Sequence, residues 1–146
     1  MWFDHANGNE KIKFMFNNEL SIERVEFENI LVYDLSKVKI RFNSKNIPTT
    51  VPDKWKKNYF NAISIDLVFV GLRRLSLEGD RIGFECTPKF SYSDDITSLR
   101  IEDEKGILFM TLSAEAMVID SIEPYLDHRW KLGCHPYDKF TIFHNV

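Results

Sequence analysis

The feature that most constrains this fold is an alternation of apolar and polar side chains that recurs along most of the chain. In residues 37–43, the apolar Val38, Ile40 and Phe42 alternate with basic residues. Successive side chains of a β-strand point to opposite faces, so the pattern predicts strands with one buried face. The runs of this kind are residues 25–33, 37–43, 62–70, 72–77, 82–86, 99–101, 107–112 and 116–122.

The connections between these runs indicate an antiparallel arrangement. The connections at residues 34–36 and 104–106 are short and polar, as is typical of hairpins. Gly106 can adopt the positive φ that such a turn requires. We therefore predict a mainly β fold, α+β at most. It is an antiparallel meander of about eight strands that forms a sandwich or an open barrel.

The alternation also assigns side chains to faces. In the first strand, we expect Leu31 to share the buried face of Val25 and Phe27. Gly71 is predicted to end the strand at residues 62–70. In the strand that follows, at residues 72–77, Leu77 is expected to point inward.

Helix is scarce, with one or two short helices at most. Residues 9–16 can place Ile12, Met15 and Phe16 on one face of a helix that Asn9 caps. The same residues also alternate as a strand would. We favour the short helix.

The length of 146 residues fits a single domain. A chain of this size buries about two-thirds of its unfolded surface and can form a core without disulfides or metals. The alternation ends near residue 126. We therefore predict one antiparallel β domain over residues 1–126, and a C-terminal arm over residues 127–146 packed on the same domain. The arm is expected to end in a short strand at 140–143.

Charge and cysteine content narrow the class of protein. A formal net charge of −3 gives no reason to expect binding to nucleic acid or to an anionic membrane. Cys86 and Cys134 favour two reduced thiols, and the alternative is one disulfide between them. No secretory signal and no apolar run of membrane-spanning length is recognisable. We therefore expect a cytoplasmic protein.

Trp55 follows a stiff crossing between two strands that contains Pro48 and Pro52. We favour the interpretation that its ring closes one end of the β core, with its indole N–H bonded to a carbonyl at the rim. The alternative is an exposed recognition loop formed by Lys54, Trp55 and the lysines that follow, because tryptophan is enriched among interface hot spots.

Motifs typical of catalysis are missing from the sequence. We find no Gly-rich phosphate loop, HExxH, CxxC or G-x-S-x-G. Metal-ligating residue types occur between Asp127 and His144, but their spacing is not that of a zinc site. We therefore predict no enzyme activity, no metal site and no cofactor.

Acidic residues concentrate around one predicted hairpin. They are Asp94, Asp95, Glu102, Asp103 and Glu104. Acids in and beside turns are expected to be solvated, so we favour that role over a pair of catalytic carboxylates. A functional role would be contact with a basic protein partner, whose capture they would speed by electrostatic steering.

Several short motifs follow one another in a distinctive order. They are Trp2, the acidic strand Ile22-Glu23-Arg24-Val25-Glu26-Phe27, Pro48, Pro52-Asp53-Lys54-Trp55, Phe60-Asn61 and Glu78-Gly79. This order resembles the immunity protein 50 family of bacterial polymorphic toxin systems, over residues 1–124.

The resemblance implies an immunity protein that binds a cognate toxin and blocks it without turnover. It transfers no contact residues, so the acidic residues above and the Lys54–Trp55 loop are the candidate toxin-binding surfaces. We expect a monomer or weak homodimer. The alternative is a small-molecule-binding, β-barrel-like domain of unknown ligand, whose twelve phenylalanines would line a pocket.

Overall fold

The computed structural model describes residues 1–57 and 59–129. This part of the chain forms seven antiparallel strands, one α-helix and the 3-10 turn Asp53–Trp55. The elements are α1 Glu10–Phe16, β1 Val25–Tyr33, β2 Lys37–Ser44, β3 Ala62–Leu77, β4 Glu85–Cys86, β5 Lys89–Ser93, β6 Ile96–Glu102 and β7 Leu108–Tyr125. The prediction of a mainly β fold is confirmed.

All seven strands belong to one sheet, in the order β4-β1-β2-β3-β7-β6-β5. β4 and β5 lie at opposite edges, yet only Thr87 and Pro88 separate them along the chain. A linker this short spans about 10 Å at most. The sheet must therefore curl until its two edges approach, which gives a half-barrel, the open-barrel alternative of the prediction.

β3 and β7 are longer than predicted, with 16 and 18 residues, and each replaces two expected strands. The predicted break at Gly71 is wrong, because Gly71 at φ +72° keeps the strand running and Arg73 forms a bulge two residues later. Beyond the bulge, Leu77 is 47% exposed and does not point inward. The sequence pattern does not predict β5, because most of its side chains are exposed and give no apolar alternation.

The long strands carry the sheet over onto itself. The ring of Phe109 on β7 lies 5.5 Å from that of Phe27 on β1, although these strands are not neighbours in the sheet. Phe84, in the segment before β4, contacts both rings at 5.7 Å and 5.0 Å. The core is thus enclosed between two halves of one continuous sheet.

A bulge in β1 reverses its faces. Phe27 and Asn29 pair with consecutive residues of β2, so Glu28 is an extra residue in the strand. Beyond it Ile30 packs against the core, while Leu31 is 54% exposed. The prediction that Leu31 is buried with Phe27 is wrong, because one inserted residue shifts every later side chain to the other face.

Residues 9–16 contain the predicted helix rather than a strand. Ile12, Met15 and Phe16 are buried, whereas Phe14 is 64% exposed. Asn9 holds the N-cap position, but its side chain donates to the carbonyl of Phe3 at 3.2 Å and caps no helical N–H.

The segment before β1 closes the concave side of the sheet. Trp2 Nε1 donates to the carbonyl of Leu20 at 2.8 Å, and Asn7 forms a parallel bridge with Val118 of β7. Five phenylalanines are less than 2% exposed in the core that results. They are Phe3, Phe27, Phe42, Phe60 and Phe69. These five side chains fill the interior, while Phe84 and Phe109 line a cavity of about 430 Å³.

The helices in the described part of the chain are all short. None is long and apolar enough to cross a membrane.

Candidate functional site

Trp55 lies at the end of the 3-10 turn with its ring in the core. It is 2% exposed and packs edge-to-face on Phe60 at 5.8 Å. Its indole N–H has no acceptor among the described residues, so the expected rim carbonyl is not found there. The ring leaves no surface for a partner. The neighbouring Lys54 is exposed, and Lys56 pairs with Asp53 at 3.0 Å.

Asp94 and Asp95 form the two-residue turn between β5 and β6. Both have positive φ, 52° and 61°, as the tight turn of a hairpin requires. Asp95 accepts a hydrogen bond from the Tyr92 hydroxyl at 3.1 Å, and the Tyr92 ring stacks on His5 at 3.8 Å. Neither aspartate has a cationic partner within the described ranges, so this turn presents unneutralised charge.

Glu102 is the last residue of β6, and Asp103 and Glu104 begin the turn that leads to β7. Asp103 Oδ1 accepts the backbone N–H groups of Lys105 and Ile107, at 2.8 Å and 3.0 Å, so its carboxylate shapes the turn. This is a structural role that the acidic pattern alone did not indicate.

The two glutamates at this turn have cationic neighbours. Glu102 lies 3.7 Å from Lys89 and 3.6 Å from Arg100. Glu104 forms an ion pair with Arg81. A backbone hydrogen bond and Arg81 together lower the pKa of the Glu104 carboxyl. The charge of this turn is therefore largely compensated.

The structure does not bring the five acidic residues into one patch. β6, with seven residues, separates the Asp94–Asp95 turn from the one at Glu102. At the rise of a β-strand, this places the two turns about 20 Å apart. The acidic region expected around one hairpin is thus divided between two turns. The charge of one turn has no cationic partner, and the charge of the other is largely compensated.

A groove lined by charged side chains runs along β4. Three cavities of about 380, 330 and 320 Å³ meet there, since Arg24 and Glu85 line all of them. Arg24 Nε donates to Glu85 Oε1 at 2.9 Å. We call this surface the β4 groove and define it by Arg24, Lys45, Glu85, Thr87, Arg100 and Glu102.

The outer face of the sheet carries a second polar arrangement, centred on Asp66. Asp66 is buried and accepts two hydrogen bonds from Arg41, at 2.7 Å and 3.0 Å, and one from Ser121 at 3.1 Å. Lys39 lies 3.5 Å away. Burial would raise the pKa of the Asp66 carboxyl, but Arg41, Lys39 and Ser121 outweigh it and lower the pKa. The carboxylate is thus hydrogen-bonded to Arg41 and forms an ion pair with Lys39.

The predicted C-terminal arm begins where β7 ends. Asp127 exchanges two hydrogen bonds with Asn61, at 2.7 Å and 3.0 Å, and Arg129 Nη1 donates to Glu26 at 2.7 Å. The rest of the arm, with the expected strand at 140–143, Cys134 and the metal-ligating types up to His144, lies outside the described residues.

Reactive groups are few in the described part of the chain. Cys86 is buried, and burial, assisted by Glu85, raises the pKa of its thiol to about 12. A thiol of this kind is a poor nucleophile. Within residues 1–57 and 59–129, no group of three or more His, Cys, Asp or Glu side chains could hold a metal ion.

Arg24 was not among the predicted site residues. It lies inside the motif of the acidic strand. Nothing in the sequence marks this arginine, among the neighbouring glutamates, as a site residue. Only the pairing of β1 with β4, which follows far along the chain, brings Arg24 beside Glu85. No sequence signal marks the positive φ of 55° at this residue.

Comparison with known proteins gives a single type of match. The model of a family described as Immunity protein 50 matches residues 8–125. No curated protein and no solved structure matches the chain.

Proposed function

Because the chain belongs to the Immunity protein 50 family, we propose that it binds a cognate bacterial toxin domain and neutralises it by stoichiometric protein–protein inhibition. The observation that carries this proposal is the extent of the match. It runs from residue 8 to residue 125, and so includes α1 and all seven described strands.

We further propose that inhibition involves no turnover. The acidic turns and the β4 groove are polar surfaces suited to a protein partner, which supports a binding role. The toxin would belong to a bacterial polymorphic toxin system, and the inhibitor would act in the cytoplasm.

Co-expression tests the proposal directly. The toxin domain encoded beside this gene is expressed with and without the protein, and growth and co-purification are scored. We expect growth to be rescued and a stable complex to be recovered. Absence of both rescue and binding between purified components would refute the proposal.

The two acidic turns differ in the steering that they can provide. Asp94 and Asp95 have no cationic partner in the described structure, whereas Glu102 and Glu104 do. Uncompensated charge reaches further into solvent and speeds the capture of a basic partner. We therefore propose that the Asp94–Asp95 turn, with a minor contribution from the other, steers a basic toxin to the protein.

A matched pair of double variants tests the steering. D94N/D95N removes two charges while keeping a residue type that tolerates positive φ. E102Q/E104Q removes two charges from the compensated turn, and Asp103 is left intact because it shapes that turn. We expect the first variant to lower the association rate and its salt dependence more than the second. Equal effects would contradict the assignment.

The oligomeric state belongs to the same proposal. We propose a monomer or weak homodimer, since an inhibitor that binds one toxin domain requires no second copy of itself. Size-exclusion chromatography with light scattering, at several concentrations, measures this directly. A stable tetramer would contradict it.

A further inference from the structure

Beyond its bulge, β1 has a free edge on the side away from β2. Phe27 turns its backbone N–H and C=O to that side and bonds them to Phe84 and Gly83, at 2.9 Å and 2.8 Å. Alternate residues of an antiparallel strand turn to alternate edges, and the bulge adds one residue, so the next to face this edge are Ile30 and Val32. No strand among the described residues pairs with them there. Such a row of backbone donors and acceptors is a template for another strand.

Other free edges in the described part of the sheet carry protective charges. Where β6 no longer covers β7, the Nζ of Lys11 donates to two carbonyls of β7, at 3.3 Å and 2.9 Å. The end of β3 that extends past β2 carries the exposed Arg73 and Arg74, and β5 begins with the exposed Lys89. Charged side chains, lysine above all, protect natural sheet edges from pairing with another chain.

The free edge of β1 lacks this protection. Residues 29–33, Asn-Ile-Leu-Val-Tyr, contain no charge and no proline. Leu31 is 54% exposed and Val32 is 52% exposed. Leu35, in the turn that follows, is fully exposed and has φ +66°, a left-handed conformation that is unfavourable for leucine. Solvent-exposed apolar side chains therefore accompany the unpaired backbone groups.

We propose that the free edge of β1 pairs with the same edge of a second copy of this chain, in an antiparallel ladder centred on Leu31. Leu31 then lies beside Leu31 of the second copy, Ile30 beside Val32 of the second copy, and Asn29 beside Tyr33 of the second copy. The hydrogen-bonded pair is that of Ile30 and Val32, because both turn their backbone groups to the edge. This pairing gives the weak homodimer proposed above a defined contact, and it does not depend on toxin binding.

Charge does not oppose this pairing. The ladder itself is uncharged, and like charges approach only at its ends, where Glu28 lies opposite Asp34 of the second copy. Each of these carboxylates has a cation of its own chain beside it. Arg41 lies 3.6 Å from Glu28, and Lys37 lies 3.0 Å from Asp34. Uncharged, β-branched and aromatic side chains directly opposite one another stabilise a strand pair.

The size and symmetry of the contact determine what forms. Because both copies use the same edge, the contact closes at two copies and does not grow into a filament. Residues 29–33 and the tip at Leu35 are far fewer than the about 20–30 residues a side of a standard stable interface. The dimer is therefore weak and forms only at high protein concentration.

Opposite charges introduced at the centre of the ladder test the pairing. Leu31→Glu and Leu31→Lys each bring like charges together only in the dimer, because residue 31 meets its own copy there. Sedimentation velocity of the wild type between about 10 µM and about 1 mM should show a monomer–dimer equilibrium. Each variant alone should weaken the dimer by about tenfold or more. An equimolar mixture of the two should restore association, because glutamate then faces lysine.

The matched control is Phe14→Glu. Phe14 is 64% exposed on α1, so the substitution also replaces an exposed apolar side chain by a charge, but it lies outside the ladder. It should leave the dimer unchanged.

Three outcomes would overturn the pairing. A wild type that stays monomeric up to about 1 mM would do so, and the toxin-binding proposal would still be decided by co-expression. A dimer that Leu31→Glu and Leu31→Lys both retain would place the contact elsewhere. A wild type that is monomeric alone, together with a loss of toxin binding in Leu31→Glu, would show that a strand of the toxin takes this edge instead of a second copy.

Discussion

At the scale of single residues, the most informative positions are those where the residue type does not suit its backbone conformation or its burial. Asp94 and Asp95 adopt positive φ, which aspartate tolerates, and their turn is unexceptional. Arg24 and Leu35 adopt it too, at +55° and +66°, and neither residue type favours it. Asp66 is an exception of another kind, because its charged carboxylate is buried and accepts three hydrogen bonds.

Asp66 should make stability depend on acid pH. Its pKa lies below the ordinary value of 3.8, so the stabilisation is complete above that value and is lost as pH falls through the lowered pKa. Asp66→Asn should therefore cost about 1–3 kcal/mol at pH 7, from weakened charged hydrogen bonds. The difference from the wild type should shrink below about pH 4. Urea unfolding at several pH values measures it.

The control for this prediction is Asp53→Asn. Asp53 is almost fully exposed, and its pair with Lys56 is a surface pair. The substitution should change the free energy of unfolding by less than about 1 kcal/mol. A destabilisation by Asp66→Asn that stays constant from pH 7 to pH 3 would contradict the role assigned to its carboxylate.

At the scale of elements, the two long strands determine the architecture. β3 and β7 pair along almost their whole length, and bulges at Arg73 and Asp120 bend the pair. Gly71, at φ +72°, sits beside the first of these bulges. The half-barrel thus depends on a bend within continuous strands rather than on a loop between separate ones.

Gly71→Ala should destabilise the fold for two reasons. The left-handed conformation costs a residue with a β-carbon about 1–2 kcal/mol. The added β-carbon would also lie 2.5 Å from Oε2 of Glu115. Gly106→Ala is the matched control, since Gly106 has φ +79° but open space around it. Denaturant unfolding should show a larger loss for Gly71→Ala, and adding Glu115→Ala should recover part of it. Equal losses at both glycines would contradict the steric part.

At the scale of the whole molecule, one core joins the sheet, α1 and the N-terminal segment. Phe3 is buried although it lies outside the family match, which begins at residue 8. Trp2 ties the same segment to Leu20 and packs on Phe90 of β5. The segment is thus part of the folded unit, and its loss would expose the concave side of the sheet.

Phe3→Ala should cost about 3–5 kcal/mol, the usual loss for a large side chain in a core. Phe14→Ala is the control, because Phe14 is exposed on α1 and surface changes rarely exceed about 0.5 kcal/mol. Thermal or urea unfolding monitored by circular dichroism compares them. A small effect of Phe3→Ala would mean that the N-terminal segment is not part of the cooperative core.

The sequence by itself determined the class of fold and many of its parts. Alternation identified β1 and β2 and the buried face of β2, because the two-residue period of a strand is a local property. The helix at α1 and the turn at Gly106 follow from local patterns in the same way. The order of short motifs was enough to indicate the family.

Only the tertiary structure decided the features that depend on pairing between distant residues. The bulge at Glu28, the continuity of β3 through Gly71 and the burial of Asp66 each require a partner strand far along the chain. The separation of the acidic turns and the meeting of Arg24 with Glu85 have the same origin. A local pattern records which face a side chain prefers. The register across strands decides what that side chain meets, and the curl of the sheet decides which edges form a groove.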